Sequence, residues 1–159
     1  MIIQEADLFQ DVNRGTMNEI AKIMVEESYD EGSLVFRAGD PANCFFLIVE
    51  GTVRLSIGTA GAIDYTAGRP GEAFGWTGMV DRPAYVATAE CVTPCTLAKI
   101  DKEKLNTVLS HDPVSSAAFF KRLAAAVVQR LIDNYGVFLT EGSLKGVTYG
   151  SGQVMGSEE

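Results

Sequence analysis

The chain contains one histidine, three cysteines and no apolar run near the roughly 20 residues that a membrane-spanning helix needs. The single imidazole, His111, cannot build the multi-histidine metal site that small β-barrels often carry. It also leaves no readable Ser–His–Asp or Cys–His arrangement, so a hydrolase or a metal-dependent barrel enzyme is not expected. Cys44, Cys91 and Cys95 cannot all pair within the chain, which fits a reducing, cytoplasmic setting. Within Cys91-Val92-Thr93-Pro94-Cys95 the two thiols stand four apart with no histidine or fourth cysteine to complete a zinc or iron–sulfur site, and they read as buried structural thiols.

Positive charge is scarce as well. Lys and Arg number 13 against 21 Asp and Glu, a net charge of −8. Nucleic-acid binders gather Lys and Arg on one face, because neutralising phosphates drives their affinity. Here Lys121-Arg122 and Arg130 are dispersed, so no direct nucleic-acid contact is expected. The first residues, Met1-Ile2-Ile3-Gln4-Glu5-Ala6-Asp7, have neither a basic segment nor a long apolar core, so no signal peptide and no membrane association are expected. At 159 residues, with 47% hydrophobic and 21% charged residues, the composition suits one soluble domain with one core.

What the chain does have is glycine punctuation between short apolar runs. Residues 5–25 read as short helices, with Thr16 and Glu19 spaced as a capping box ahead of the apolar face Ile20, Ile23 and Met24. Short strands follow: 33–37, the strongly apolar 43–49, the alternating 52–57 with Val53, Leu55 and Ile57 on one face, 62–65, 84–90 and 93–100. Between them lie turn residues such as Gly39-Asp40-Pro41 and Glu50-Gly51. Glu26-Glu27 and Asp30-Glu31 read as a solvated edge that discourages strand pairing. This spacing indicates a β-sandwich or jelly-roll barrel. Asp101 is placed to cap a short helix, and Asp112-Pro113 opens a long one. Phe120, Leu123, Val127, Leu131 and Asn134 form one stripe of that helix, with Phe119, Ala126, Ile132 and Tyr135 elsewhere. One face can lie on the barrel and the other can meet a second copy.

The most informative stretch is residues 71–89. It reads as a strand end, a glycine corner, a single helical turn and a return strand, a geometry that aims several backbone N–H groups at one point and suits an anion. Together with Asp30-Glu31-Gly32, Val35-Phe36-Arg37-Ala38-Gly39-Asp40-Pro41-Ala42, Phe45–Arg54 and Gly71-Glu72-Ala73-Phe74-Gly75, it resembles the cyclic nucleotide-binding domain family. The likeness is to the sensor half of bacterial catabolite-activator and fumarate-nitrate-type (Crp/Fnr) regulators, in a branch with a Phe-Gly-Trp sequence, and it covers residues 8–138.

The resemblance implies a mainly β fold: a double-stranded β-helix (jelly-roll, cupin-like barrel) with short N-terminal helices and a long C-terminal helix. It also implies a domain over 1–139, with the barrel at about 27–100 and a dimer helix at about 113–139, ahead of a flexible tail at 140–159. The family places a glutamate after Phe-Gly to accept from a ribose hydroxyl; Trp76 stands there, and indole only donates. The family's phosphate arginine aligns with Pro83, with Arg82 one residue away. The expected ligand-binding residues are Phe74, Gly75, Trp76, Thr77, Gly78, Arg82, Ala84 and Tyr85, with Val127 and Leu131 as a lid from the long helix.

Two functions follow from this reading. One is a non-enzymatic regulatory sensor that takes a cyclic nucleotide or another small anion, needs no prosthetic group and homodimerises through 113–139. It would have no DNA-binding domain of its own and would pass its signal to a partner protein. The other is a ligand-free dimerisation or interaction module in which Trp76 fills the former pocket.

Overall fold

The computed structural model describes residues 2–58, 63–140, 147–150 and 153–156, with side chains described to residue 133 apart from Ile63. The chain divides into two compact units, Met1–Leu123 and Ala124–Glu159. The first unit opens with two 3-10 turns, Ile2–Glu5 and Asp7–Phe9, followed by α1 (Arg14–Ile23). Strands follow as β1 (Val25–Tyr29), β2 (Leu34–Phe36), β3 (Cys44–Glu50), β4 (Val53–Ile57), β5 (Ile63–Ala67) and β6 (Ala73–Phe74). A 3-10 turn, Trp76–Val80, leads to β7 (Thr88–Cys91) and β8 (Cys95–Asp101). Then come α2 (Lys102–Ser110) and α3 (Pro113–Thr140), the latter crossing into the second unit.

Two four-stranded antiparallel sheets, β1-β8-β3-β6 and β2-β7-β4-β5, form the sandwich that the glycine spacing predicts. The central strand β3 has no wet face. Phe46 and Ile48 point into the sandwich with Phe36, Val53, Leu55, Phe74, Ala89 and Leu97. Phe45 and Leu47, on the opposite face of the strand, are equally buried. Phe45 lies in an aromatic cluster with Phe9 of the N-terminal segment and Phe119 of α3, with ring centroids 5.4–6.4 Å apart. β4 instead alternates, with Val53 and Leu55 inward and Arg54 exposed, because the outer face of its sheet meets solvent. Ile57, on the same face, is 40% exposed at the strand end. Glu26 and Glu27 lie on β1, an edge strand of its sheet.

Several local expectations need correction. Asn13, not Thr16, caps α1: its side-chain oxygen accepts from the Thr16 N–H at 2.9 Å. The Thr16 hydroxyl is drawn away to Asp112 Oδ2 at 2.6 Å. Residue 25 already belongs to a strand. The strand expected over 84–90 is confined to Thr88–Cys91, because residues 83–85 pair with the loop at 39–42. On α3 the inward residues are Ser115, Phe119 and Leu123, whereas Phe120 is exposed. The side chains of Asn134 and Tyr135 lie outside the described residues. In the second unit, Val147–Gly150 (β9) and Gln153–Gly156 (β10) pair antiparallel within the stretch read as a tail.

α1 and α3 start against one another. Asp112 caps α3 by accepting from the Ser115 N–H at 3.1 Å, and it also accepts from the Asn13 side-chain amide and the Thr16 hydroxyl. The Asn13 N–H donates to the Ser115 hydroxyl at 3.0 Å. One carboxylate thus serves the N-termini of two helices. Hydrogen bonds from Ser115 and Thr16 hold its pKa below the ordinary 3.8. A depressed carboxylate stabilises the fold above its unfolded pKa, and that contribution disappears as pH falls through the folded one. Asp112→Asn is therefore expected to melt at a lower temperature at pH 7 and to show a shallower loss between pH 4 and 2. Thermal denaturation followed by circular dichroism across that range checks this, and parallel acid profiles would contradict it.

Candidate ligand-binding cassette

The segment Phe74–Tyr85 is built on the aromatic floor of the sandwich. Phe74 ends β6, paired with Phe46 and fully buried, with ring centroids 5.4 Å apart. Gly75 then turns the chain at φ 75°, and a Cβ there would stand 3.0 Å from the Phe36 ring. Glycine meets both demands at once. The turn Trp76–Val80 follows, with Trp76 and Thr77 partly buried and Gly78 and Met79 buried. The first N–H groups of such a turn have no partner inside it. Gly78 is wedged on the neighbouring loop: a Cβ there would meet the Ala42 carbonyl oxygen at 2.0 Å. Asp81 closes the turn at φ 63°, a left-handed conformation that Asp tolerates better than most residues.

The return segment is sewn to the loop at 37–43. The Ala42 N–H donates to the Pro83 carbonyl and the Tyr85 N–H to the Asp40 carbonyl, both at 2.9 Å, and the Gly39 N–H donates to the Tyr85 carbonyl at 2.8 Å. The Tyr85 ring stacks on Phe36 with centroids 3.7 Å apart, and its hydroxyl donates to the Cys44 carbonyl. Burial pushes this phenol up to about 12, so it stays a neutral donor. Ala84 is partly buried in an isolated bridge with Pro41, and Arg82 is exposed with no ion pair among the described residues.

The structure therefore gathers Phe74, Gly75, Trp76, Thr77, Gly78, Arg82, Ala84 and Tyr85 in one continuous feature. Phe74 and Tyr85 belong to its floor and seam. Val127, partly buried, and Leu131, 47% exposed, lie on the second unit. Sequence reasoning missed Lys102. Its side-chain Cδ lies 3.2 Å from where a Gly78 Cβ would be, and its N–H donates to the Asn43 carbonyl at 2.8 Å. Nothing in local sequence links positions 78 and 102; only the β3–β8 pairing brings them together.

Burial pushes the Cys91 thiol up to about 12, and both Cys91 and Cys95 sit in the sandwich core as free cysteines. Among the described residues, no group of three or more His, Cys, Asp or Glu is placed to hold a metal ion, and no helix is long and apolar enough to cross a membrane.

The family profile described as "Cyclic nucleotide-binding domain" matches residues 26–112, more than half of the chain, and takes in the entire cassette. The chain belongs to the cyclic nucleotide-binding domain family. Its sandwich, N-terminal helix and long C-terminal helix are those of a cyclic nucleotide-binding-type regulatory domain, a family that is typically non-enzymatic. The chain is 26% identical over 110 residues to the cAMP-dependent protein kinase regulatory subunit of Schizosaccharomyces pombe, covering 69% of this chain. It spans about a quarter of the length of the curated relatives it matches. Among solved structures it is similar to the sensor domain of the transcriptional regulator DNR from Pseudomonas aeruginosa, with TM-score 0.67 and 25% identity over 82% of this chain and 89% of that one. The catabolite activator protein of Thermus thermophilus shares the fold, with TM-score 0.66 and 23% identity over 87% of this chain and 64% of that one.

Within this cyclic nucleotide-binding fold, Gly78 is where a single methyl does most harm, since the atom it strikes is backbone. Gly78→Ala is expected to lower unfolding free energy by about 1–3 kcal/mol, the range for overpacking. Urea titration measures it, and a change below about 0.5 kcal/mol, the size of an ordinary surface substitution, would show that the turn is not wedged on Ala42.

Proposed function

We propose that the chain is a sensor module whose cassette takes a small anionic ligand, a cyclic nucleotide foremost, and passes occupancy on through α3. The observation that carries this is the family match across residues 26–112, which encloses the whole cassette. A similar protein named as a cAMP-dependent kinase regulatory subunit supports the nucleotide class. The segment turns at Gly75 with a left-handed φ of 75°, and Arg82, exposed and in no ion pair with a described residue, follows the turn in the chain. In this reading Trp76, Thr77, Arg82 and Ala84 face the ligand. Gly75 and Gly78 let the backbone approach, Phe74 and Tyr85 hold the floor, and Val127 and Leu131 serve as the lid. Occupancy moves α3 only to the extent that the ligand binds one helix position better than the other. No prosthetic group takes part.

The output side of the proposal is a homodimer. In the second unit α3 exposes Val128, Leu131 and Ile132, each about half exposed and spaced three and four apart on one helix face. A second copy covers such a stripe, and a downstream protein reads the result. The alternative is a ligand-free interaction module with Trp76 filling the site. It draws support from Gly75 and Gly78, which have packing reasons that need no ligand.

Isothermal titration with cyclic AMP and cyclic GMP, read alongside Trp76 fluorescence, separates the two. Saturable binding at micromolar concentrations is expected, weakened roughly 10- to 100-fold in Arg82→Gln by loss of one charge-assisted contact. No signal up to millimolar ligand would favour the ligand-free module. Sedimentation is expected to show a dimer for the native chain and a monomer for Leu131→Glu; a monomeric native chain would refute the helix interface.

A further inference from the structure

The entry to the cassette is held both by backbone and by side chains. The Gly71 N–H donates to the Ile48 carbonyl at 2.8 Å and the Ile48 N–H to the Glu72 carbonyl at 2.9 Å, which fixes the turn at 68–72 to β3. Gly71 also lies against the N-terminal segment, where a Cβ would stand 2.7 Å from the Glu5 carbonyl oxygen. The remaining support joins two side chains. Tyr65 is paired with Leu55 in the β4–β5 ladder and shares its inward face, packed against the core. Its hydroxyl donates to Glu72 Oε2. Tyr65 belongs to β5, an edge strand of one sheet, and Glu72 leads directly into β6, an edge strand of the other. The bond therefore crosses from sheet to sheet where the cassette begins.

A carboxylate is costly in this place. The Glu72 side chain is only 7% exposed, and a buried carboxylate is tolerated when donors meet its oxygens. Oε1 accepts from the Gly68 and Arg69 N–H groups, both at 3.1 Å, and the Arg69 guanidinium, 75% exposed, stands 3.7 Å away. Those contacts serve the turn itself. Oε2 is met from across the sandwich by Tyr65. The strand that follows is two residues long, with Ala73 opposite Leu47 and Phe74 opposite Phe46. So short a strand holds little by itself. Resting on the sensor reading of the cassette, we infer that Tyr65 and Glu72 are positioning residues for ligand binding. Their bond sets where β6 releases the chain at Gly75, and so holds the Trp76–Val80 turn in place. They act through β6 and not by touching the ligand. A turn already held in place loses less conformational freedom on binding, and that saving appears as affinity.

Tyr65→Phe removes the hydroxyl and keeps the ring in the core. The double variant Tyr65→Phe/Glu72→Gln also leaves no carboxylate in want of a donor, which separates the lost link from a buried unmet charge. Amide hydrogen exchange on the full chain reads the cassette without ligand. The Ala42 and Tyr85 N–H groups, bonded across the seam between the loop at 39–42 and the return segment, report the cassette, and the β1–β8 ladder reports the sandwich as a whole. Both variants are expected to exchange about tenfold faster at Ala42 and Tyr85, with a far smaller change in the β1–β8 ladder, and to bind cyclic AMP about tenfold more weakly by titration calorimetry, the scale of one charge-assisted hydrogen bond. Faster exchange confined to residues 68–72, or an equal rise in seam and ladder, would make the pair a staple of the turn or of the whole fold and overturn the inference. Unchanged affinity in both variants would overturn it as well and leave the sensor reading intact. A native chain that binds no cyclic nucleotide would instead remove the sensor reading, and this inference with it.

Discussion

Everything in the first unit hangs on β3 being buried on both faces. Its inward side chains, Phe46 and Ile48, are part of the sandwich core, while Phe45 and Leu47 on the other face make the floor on which the N-terminal segment and α3 rest. Such a strand couples two packing problems that are separate in most sandwiches. A sheet with one wet face tolerates changes on that face, whereas here a substitution at any of these four positions opens a cavity in one layer or the other. The same strand pairs with β6 and so delivers Phe74, and then Gly75, to a defined place at the sheet edge.

The cassette inherits its rigidity from that arrangement. Gly75 rests on Phe36 and Phe46, Gly78 on the Ala42 carbonyl, and the return segment on three backbone hydrogen bonds to the loop at 39–42. A preorganised turn spends little conformational entropy on a ligand, which is the usual basis of affinity in small sites. Among the acids of the neighbouring segments, Asp40, Asp101 and Glu72 are occupied with turn and helix caps, and Arg82 and Lys102 make no ion pair with a described residue.

Much of this was legible in the sequence because the glycines carry it. Gly51, Gly71 and Gly75 all take positive φ against close neighbours, which is why their spacing marks the corners of the fold. The continuous apolar run of β3 announced a strand without a wet face, and Asp101 announced its helix. What was illegible depended on partners far away in sequence. Asn13 and Thr16 both suit a cap, and the choice between them is made by Asp112. The expected strand over 84–90 looks continuous in sequence, but its first residues are claimed by the loop at 39–42. The bond from the Tyr85 hydroxyl to the Cys44 carbonyl carries no local sign in the sequence, nor does the approach of Lys102 to Gly78.

The central claim is that one compact cassette receives an anion. Amide chemical-shift mapping by NMR, with the labelled chain titrated by cyclic AMP and by cyclic GMP in turn, tests it residue by residue. The account requires the largest saturable shifts at Gly75–Arg82, with smaller ones at Ala42, Asn43 and Lys102, and little change across the Arg54–Glu90 outer sheet face. Shifts centred elsewhere, or none at millimolar ligand, would contradict it.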